Sequence, residues 1–251
     1  MHTIIFLSNI LSISMSASSN LTNSAMAAGI AEIVTLPICT IKTNYQNTTG
    51  ITIKKTIKTM YRQGGVLSFF RAMGAAVSSQ VFSTSLKYTI YRYLEDKNLK
   101  YSNKILNGMA SGITASIFTH PIDFIKIHLQ MNKSMLKTLK DDGVSSIYRG
   151  YSKTFLKSAL GNSLYFPIYE YCNNIFDNVL YSSICSSVFA TIIIHPVDYF
   201  RIRHIYNLPW FQGWHPKYFF KGLSLNLLRV VPHFVITMSL IDYLNKIRNR
   251  N

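Results

Sequence analysis

Hydrophobic and polar residues follow one another along the chain in three similar blocks. Each block begins with a long apolar segment that contains a proline, continues through a short amphipathic stretch, and finishes with a second long segment that is apolar with scattered polar positions. The three prolines, Pro37, Pro121 and Pro196, lie roughly 80 residues apart, which is the length of one block. The chain is therefore three units of one supersecondary element.

Residues 120–150, within the second block, show the repeated motif most clearly. A proline is followed after two residues by an acid and after five by a base, and an aromatic-basic-glycine triplet comes later. The acid and the base are Asp123 and Lys126 in the second block and Asp198 and Arg201 in the third. In the first block Lys42 supplies the base, but Cys39 stands where the acid is expected. The closing triplets are Phe70-Arg71-Ala72, Tyr148-Arg149-Gly150 and Phe220-Lys221-Gly222.

These ordered copies resemble the mitochondrial carrier family of inner-membrane solute transporters, and three copies of the motif are far more specific than one. The resemblance implies an all-α membrane protein with six transmembrane helices in three pseudo-symmetric repeats around a central cavity. Short amphipathic helices on the matrix side complete the implied fold. The expected repeats are residues 17–97, 98–176 and 177–251. The expected assembly is a functional monomer, multi-pass, in the mitochondrial inner membrane.

The composition suits a membrane protein with a wet interior. Hydrophobic residues make up 48% of the chain and charged residues 14%, while the mean hydropathy of +0.16 is low for a bundle of membrane helices. Polar residues that face a water-filled cavity explain the difference, because only the outer faces of the helices have to be apolar.

The net charge of +16 often indicates nucleic-acid binding, but no nucleic-acid-binding motif accompanies it. The bases instead collect between the two long segments of a block: residues 47–71 carry five bases and no acid. The joints between blocks are mixed or acidic. A bias of this kind sets membrane topology, and by the family resemblance the positive face is the matrix side. We therefore expect no nucleic-acid partner.

The motif charges are the first candidate functional residues. An acid and a base three residues apart lie on one helix face, and charges inside a membrane have to be paired or hydrated. The resemblance assigns them to a matrix-side gate that closes through ion pairs between repeats, with glutamines as braces. The corresponding residues are Lys42, Asp123, Lys126, Asp198, Arg201, Gln46 and Gln130. Each proline is expected to bend its helix at this level. Because Cys39 replaces one acid, we expect at most two of the three ion pairs.

The second candidate site lies on the later long segment of each block. Ser79, Lys157 and Arg229, seven residues after each triplet, correspond by resemblance to the level at which family members contact substrate. The complete predicted set is Glu32, Ser79, Gln80, Lys87, Lys157, Ser158 and Arg229. Two roles of Glu32 stay open: a partner for a cavity cation or for the substrate, including proton coupling, and a buried structural pair.

The predicted substrate is a small anion. Lys87, Lys157 and Arg229 come from three different helices and are expected to face one volume, where no acid except Glu32 offsets them. Three cations in a poorly screened cavity favour a multiply charged anion. We predict exchange of nucleotides of the ATP/ADP or dATP and TTP class, the latter suited to the AT-rich codons of this chain. A carboxylate or other small-anion carrier, and a carrier-like scaffold without transport, are the alternatives.

Two further assignments rest on the resemblance. The cytoplasmic gate motif is degenerate, and a weak gate is expected from its remaining charges, which are Arg92, Glu95, Glu170 and Asp242. The triplet bases Arg71, Arg149 and Lys221 stand at helix starts, where backbone N–H groups bind phosphate, and the family places cardiolipin there. Ala72 in place of glycine weakens the first copy. The alternative is that these bases only lie in the membrane interface.

The sequence predicts no enzymatic activity and no cofactor or metal site. His120 and His195 occupy equivalent positions before prolines, which favours capping or packing at the bend over metal binding. The three cysteines are an odd number without metal-type spacing and are interpreted as packing residues. Residues 1–16 resemble a signal peptide but lack a basic start, and Met15 is an equally suitable initiator, so we expect a dispensable leader.

Overall fold

The chain folds into helices. The computed structural model describes residues 2–48, 50–97, 104–209, 211 and 216–248, and no strand occurs in these ranges. The helices are α1 His2–Asn47, α2 Ile53–Gly64, α3 Met73–Lys97, α4 Lys104–Gln130, α5 Met135–Asp142, α6 Tyr151–Phe176, α7 Val179–Ile205, α8 Pro216–Phe219 and α9 Leu223–Arg248. Two 3₁₀ turns, Gly65–Phe70 and Val144–Tyr148, come before α3 and α6. Each block thus consists of a long helix, a short helix and a second long helix, in that order.

Three helices in the described part of the chain are long and apolar enough to cross a membrane. They are Leu21–Asn47 within α1, Val179–Ile205, which is α7, and Leu223–Leu244 within α9. Large apolar side chains such as Val34 and Phe189 are more than half exposed on these helices. Lipid solvates such side chains, whereas water does not.

The six long helices close a ring in the order α1, α3, α4, α6, α7 and α9, with α9 packed back against α1. Helices α1, α4 and α7 also contact one another across the ring. The α4–α6 contact is close, because a Cβ atom added to Gly112 would lie 1.8 Å from Nδ2 of Asn162. Small residues permit this kind of approach between membrane helices.

A residue in the left-handed conformation begins each later long helix. Ala72, Gly150 and Gly222 stand just before α3, α6 and α9, with φ angles of +69°, +79° and +79°. Glycine adopts this conformation freely, whereas alanine pays about 1–2 kcal/mol for it. The three triplets therefore share one backbone shape, and the first copy is strained.

The three motif prolines lie inside helices that continue past them: Pro37 in α1, Pro121 in α4 and Pro196 in α7. A proline inside a helix removes one backbone hydrogen bond and favours a bend. The motif charges follow each proline on the same helix. We therefore still predict that each helix bends close to its motif charges.

Candidate functional site

Three buried ion pairs join α1, α4 and α7 across the ring. Their members are Asp123 with Arg201, Asp198 with Lys42, and Glu32 with Lys126. We call these six residues the gate network. In the third pair, Oε1 of Glu32 lies 2.6 Å from Nζ of Lys126. The pairs run from block two to three, from three to one and from one to two, so they form a closed cycle.

The expectation of at most two ion pairs is wrong, because it considered only acids at the motif position. Glu32 lies seven residues before Cys39 on α1, which is about two helical turns and places both residues on one side of the helix. The Glu32 carboxylate takes Lys126 as its partner in place of an acid at position 39. Cys39 itself is buried, and its Sγ accepts a weak hydrogen bond from Nε2 of Gln130 at 3.4 Å.

Each acid of the gate network has a second partner at the predicted substrate level. Ser79 Oγ donates to Asp123 at 2.8 Å, Lys157 Nζ donates to Asp198 at 2.5 Å, and Arg229 Nη2 donates to Glu32 at 3.0 Å. The expectation that only Glu32 offsets the cavity bases is therefore wrong, because Asp198 reaches Lys157 with its second oxygen. Glu32 combines the two roles that the sequence left open: it binds a cavity base and it forms a buried pair between two helices.

Most of the gate network is dry, although the Asp123 side chain is 24% exposed; at the substrate level Arg229 is 16% exposed and Lys157 is wetter. The Glu32 side chain is 0% exposed and those of Lys42 and Asp198 are each 4% exposed, but Lys157 is 34% exposed. A buried charge without a partner costs several kcal/mol, so each of these acids depends on its bases. Separating α1, α4 and α7 at this level means breaking three charge pairs.

The other predicted substrate residues keep their polar groups available. Gln80 and Lys87 of α3 and Ser158 of α6 are half-buried, and no side-chain hydrogen bond or ion pair joins them to the rest of the described structure. Lys87 lies eight residues after Ser79, about two turns further along α3. The Tyr165 hydroxyl is occupied by a 3.1 Å hydrogen bond with Oγ1 of Thr191.

His233 lies in the site but is not in the predicted set of substrate residues. Its Nδ1 lies 3.7 Å from Oε2 of Glu32 and 3.4 Å from Oγ1 of Thr35. The available signal was its position four residues after Arg229, one turn along the same face of α9.

The two predicted glutamine braces occupy different places. Gln130 lies beside the gate network, where its Oε1 accepts a 3.0 Å hydrogen bond from Oγ1 of Thr43. Gln46 Nε2 instead donates a 3.2 Å hydrogen bond to the backbone carbonyl of Lys221, two residues before α9 begins.

The residues predicted for the cytoplasmic gate lie on α3, α6 and α9. Asp242 pairs with Lys246, one turn later on α9, at 2.8 Å. This pair lies within one helix and is exposed, so it contributes little to closing the ring. Arg92 is half-buried and Glu170 is exposed, while the side chain of Glu95 lies outside the described residues.

The three triplet bases differ in their surroundings. Arg71 lines an open cavity of about 470 Å³ together with Lys133, near the end of α4. Arg149 forms a 3.0 Å ion pair with Asp142, and Lys221 Nζ donates to the Thr48 carbonyl at 2.5 Å. Burial and the nearby Arg203 lower the pKa of Lys221 to about 8.

The sequence is similar to those of known carrier proteins. The family model for "Mitochondrial carrier protein" matches residues 14–101 and 97–180. The chain is 47% identical over 232 residues to a mitochondrial carrier-like protein of Acanthamoeba polyphaga mimivirus, and the match covers 92% of this chain and 98% of the relative.

Two more distant relatives are named for their substrates. An electrogenic aspartate/glutamate antiporter of Homo sapiens is 22% identical over 270 residues, which is 88% of this chain and 40% of that protein. A mitochondrial arginine transporter of Arabidopsis thaliana is 27% identical over 161 residues, which is 57% of this chain and 54% of the relative. The chain belongs to the mitochondrial carrier family and is a multi-pass transporter of the mitochondrial inner membrane.

Proposed function

We propose that the chain exchanges nucleotides or deoxynucleotides across the inner membrane, alternating between a state open to the matrix and a state open to the cytosol. The six long helices are the spans, arranged in three repeats of residues 17–97, 98–176 and 177–251. The closed ring of long helices and the cyclic order of the gate network support this topology. The gate network is the closed matrix gate.

An excess of bases in and around the gate network carries the substrate assignment. The bases are Lys42, Lys87, Lys126, Lys157, Arg201 and Arg229, and the acids are Glu32, Asp123 and Asp198. Three uncompensated positive charges in a partly dry site favour a multiply charged anion over a zwitterion, because each close contact gains more there than in water. Nucleotide phosphates supply that charge, and supply of dATP and TTP suits a chain so similar to a viral carrier.

Shared acids connect substrate binding to the gate. Asp198 holds the gate base Lys42 with one oxygen and the substrate-level base Lys157 with the other. Glu32 divides its oxygens between Lys126 and Arg229 in the same way. An anion that binds Lys157 and Arg229 takes one of two partners from each acid. Each buried acid then has one base instead of two to offset its desolvation, so the closed network becomes less stable.

A small dicarboxylate or an acidic amino acid is the second candidate substrate. Asp198 and Glu32 already neutralise Lys157 and Arg229, so the charge left for the substrate is smaller than the sequence alone indicates. The name of the aspartate/glutamate antiporter among the relatives favours the same class.

Exchange in proteoliposomes tests the assignment. Separate vesicles are loaded with ATP, dATP, TTP, malate, citrate, aspartate or arginine, and each set is offered the labelled form of the compound that it contains. We expect nucleotide exchange, and a loss of about tenfold or more in Lys157→Ala and Arg229→Ala, since each removes a charge-assisted hydrogen bond. Lys58→Ala and Arg62→Ala, on the exposed side of α2, are matched controls and should exchange normally. Uptake of malate, citrate or aspartate without nucleotides would establish the second candidate.

The lipid and assembly assignments complete the proposal. Anionic cardiolipin binds at the starts of α3, α6 and α9, with Arg71 the most accessible of the three bases because it borders the open cavity. The carrier works as a monomer with a weak cytoplasmic gate. Thermal stabilisation by cardiolipin that is reduced in Arg71→Ala, together with single-chain mass in detergent, checks both points.

A further inference from the structure

A chain of hydrogen bonds runs from the gate base Arg201 to the second lipid-site triplet. Arg201 Nε donates to Oγ1 of Thr154 at 2.9 Å. That oxygen lies 2.9 Å from Nδ1 of His120, and His120 Nε2 lies 3.2 Å from the carbonyl oxygen of Arg149. A carbonyl only accepts, so His120 carries its proton on Nε2 and its Nδ1 accepts from the Thr154 hydroxyl. Every bond in the chain therefore points in one direction.

The third repeat contains the same chain with different chemistry in the middle. Lys42 Nζ donates to Oδ1 of Asn226 at 2.8 Å, and Nδ2 of Asn226 lies 3.0 Å from Nδ1 of His195. His195 Nε2 lies 3.2 Å from the carbonyl oxygen of Lys221. Both histidines are fully buried, so these bonds have no competition from water. We call the two chains the histidine relays.

The first repeat has neither half of a relay. Leu36 occupies the histidine position before the proline, and Ala76 occupies the position four residues after the triplet. Both are fully buried. The gate base on this side, Lys126, is bound to Glu32 and to no relay. The histidine and its polar partner therefore occur together in two repeats and are absent together in the third, as expected of parts that work as a pair.

We propose that His120 and His195 are positioning residues of the matrix gate. Each orients the gate base of another helix through Thr154 or Asn226 and anchors it to the backbone turn that begins α6 or α9. The gate bases thereby keep the orientation in which Asp123 and Asp198 bind them. Loss of a relay releases the base, so the gate opens more often. This inference rests on the proposed gate.

Alkylation of Cys39 measures gate opening, because Cys39 lies buried at the motif position of α1. The full chain is reconstituted in liposomes with Cys172→Ser and Cys185→Ser, so that Cys39 is the reacting thiol. The double variants are His120→Leu/Thr154→Ala and His195→Leu/Asn226→Ala. Each replaces the histidine and its polar partner with the leucine and alanine that the first repeat has at these positions. We expect N-ethylmaleimide to label Cys39 about fivefold faster in each, the effect of losing roughly one net hydrogen bond.

Conservative variants separate positioning from packing. Glutamine has a donor and an acceptor, so His120→Gln and His195→Gln should label at nearly the parent rate. Thr154→Val keeps the shape of the side chain but loses the hydroxyl, and it should label faster even where the double variants fold poorly. Equal rates in the parent, Thr154→Val and both double variants would overturn the proposal.

Asp198→Asn serves as the gate control. If it accelerates labelling and the relay variants do not, the relays are wrong while the gate stands. If Asp198→Asn also leaves labelling unchanged, the proposed gate is wrong and the positioning role falls with it.

Discussion

Removing the charge of Glu32 should weaken the closed gate strongly. The carboxylate is fully buried between Lys126 at 2.6 Å and Arg229 at 3.0 Å. In Glu32→Gln the shape of the side chain stays but two bases lose their acid. Breaking a buried pair by removing one partner costs about 3 kcal/mol or more. For a chain of this size, that cost corresponds to a fall in Tm of about 6–12 °C.

A second substitution tests whether Glu32 replaces the acid that the motif would place at position 39. Cys39→Asp in the Glu32→Gln background returns a carboxylate to α1, two turns later and in the motif position. We expect it to restore most of the stability by binding Lys126. Cys39→Asn has the same size without the charge and should restore nothing. In the parent chain, Cys39→Asp should add about 1 kcal/mol to the closed state, or about a fivefold shift in population, and slow exchange.

Thermal unfolding in detergent and nucleotide exchange in liposomes give two readouts of these variants. The stability readout reports the pair with Lys126. The exchange readout also reports Arg229, which pairs with Glu32 at 3.0 Å. The rescued double variant should therefore recover Tm more fully than exchange. A parent-like Tm in Glu32→Gln, or equal rescue by Cys39→Asn and Cys39→Asp, would refute the reasoning.

Three further predictions concern single positions. Ala72→Gly should raise Tm by about 2–4 °C, because it relieves about 1 kcal/mol of strain at φ +69°; a fall in Tm would contradict the strained turn. Gly112→Ala should lower Tm, since its Cβ meets Asn162, and Gly112→Ala/Asn162→Ala should recover it; failure of that rescue would show that the contact is not the cause. Asp198→Asn should lower both Tm and exchange more than Asp242→Asn, because Asp198 holds two bases inside the ring and Asp242 holds one exposed lysine.

Because the motif is repeated, most of the charged residues of the gate network could be predicted from the sequence. The three copies of the motif identified Asp123 and Asp198 and the base three residues after each acid. The same spacing showed that Cys39 stands where the first copy should have an acid. Glu32 could be recognised as an acid at an unusual depth, but its partner could not, because a pairing between α1 and α4 depends on how the ring closes. The same limit applies to Lys157. Its pairing with Asp198 depends on how far the flexible lysine side chain reaches, and no local sequence pattern predicts that.

The sequence indicated only part of the histidine relays. His120 and His195 stood out as equivalent positions, and the sequence favoured capping or packing for both. Their partners Thr154 and Asn226 also stand at equivalent positions, four residues after their triplets, but one is a hydroxyl and the other an amide. A pattern defined by hydrogen-bonding capacity joins them, whereas a pattern defined by residue type does not.

The first repeat departs from the other two in one consistent way. Its motif acid, its relay and its triplet glycine are all replaced, and its gate pair is formed by Glu32, which also holds Arg229 at the substrate level. The other two gate bases are each held by an acid and by a relay, whereas Lys126 pairs only with Glu32 within the described part of the chain. An anion that draws Arg229 away from Glu32 therefore leaves this buried carboxylate with one base instead of two, at the gate pair that no relay supports in the described structure. We expect the gate to open first between α1 and α4, so that the side of the ring lacking the family's motif acid is the side through which substrate binding acts.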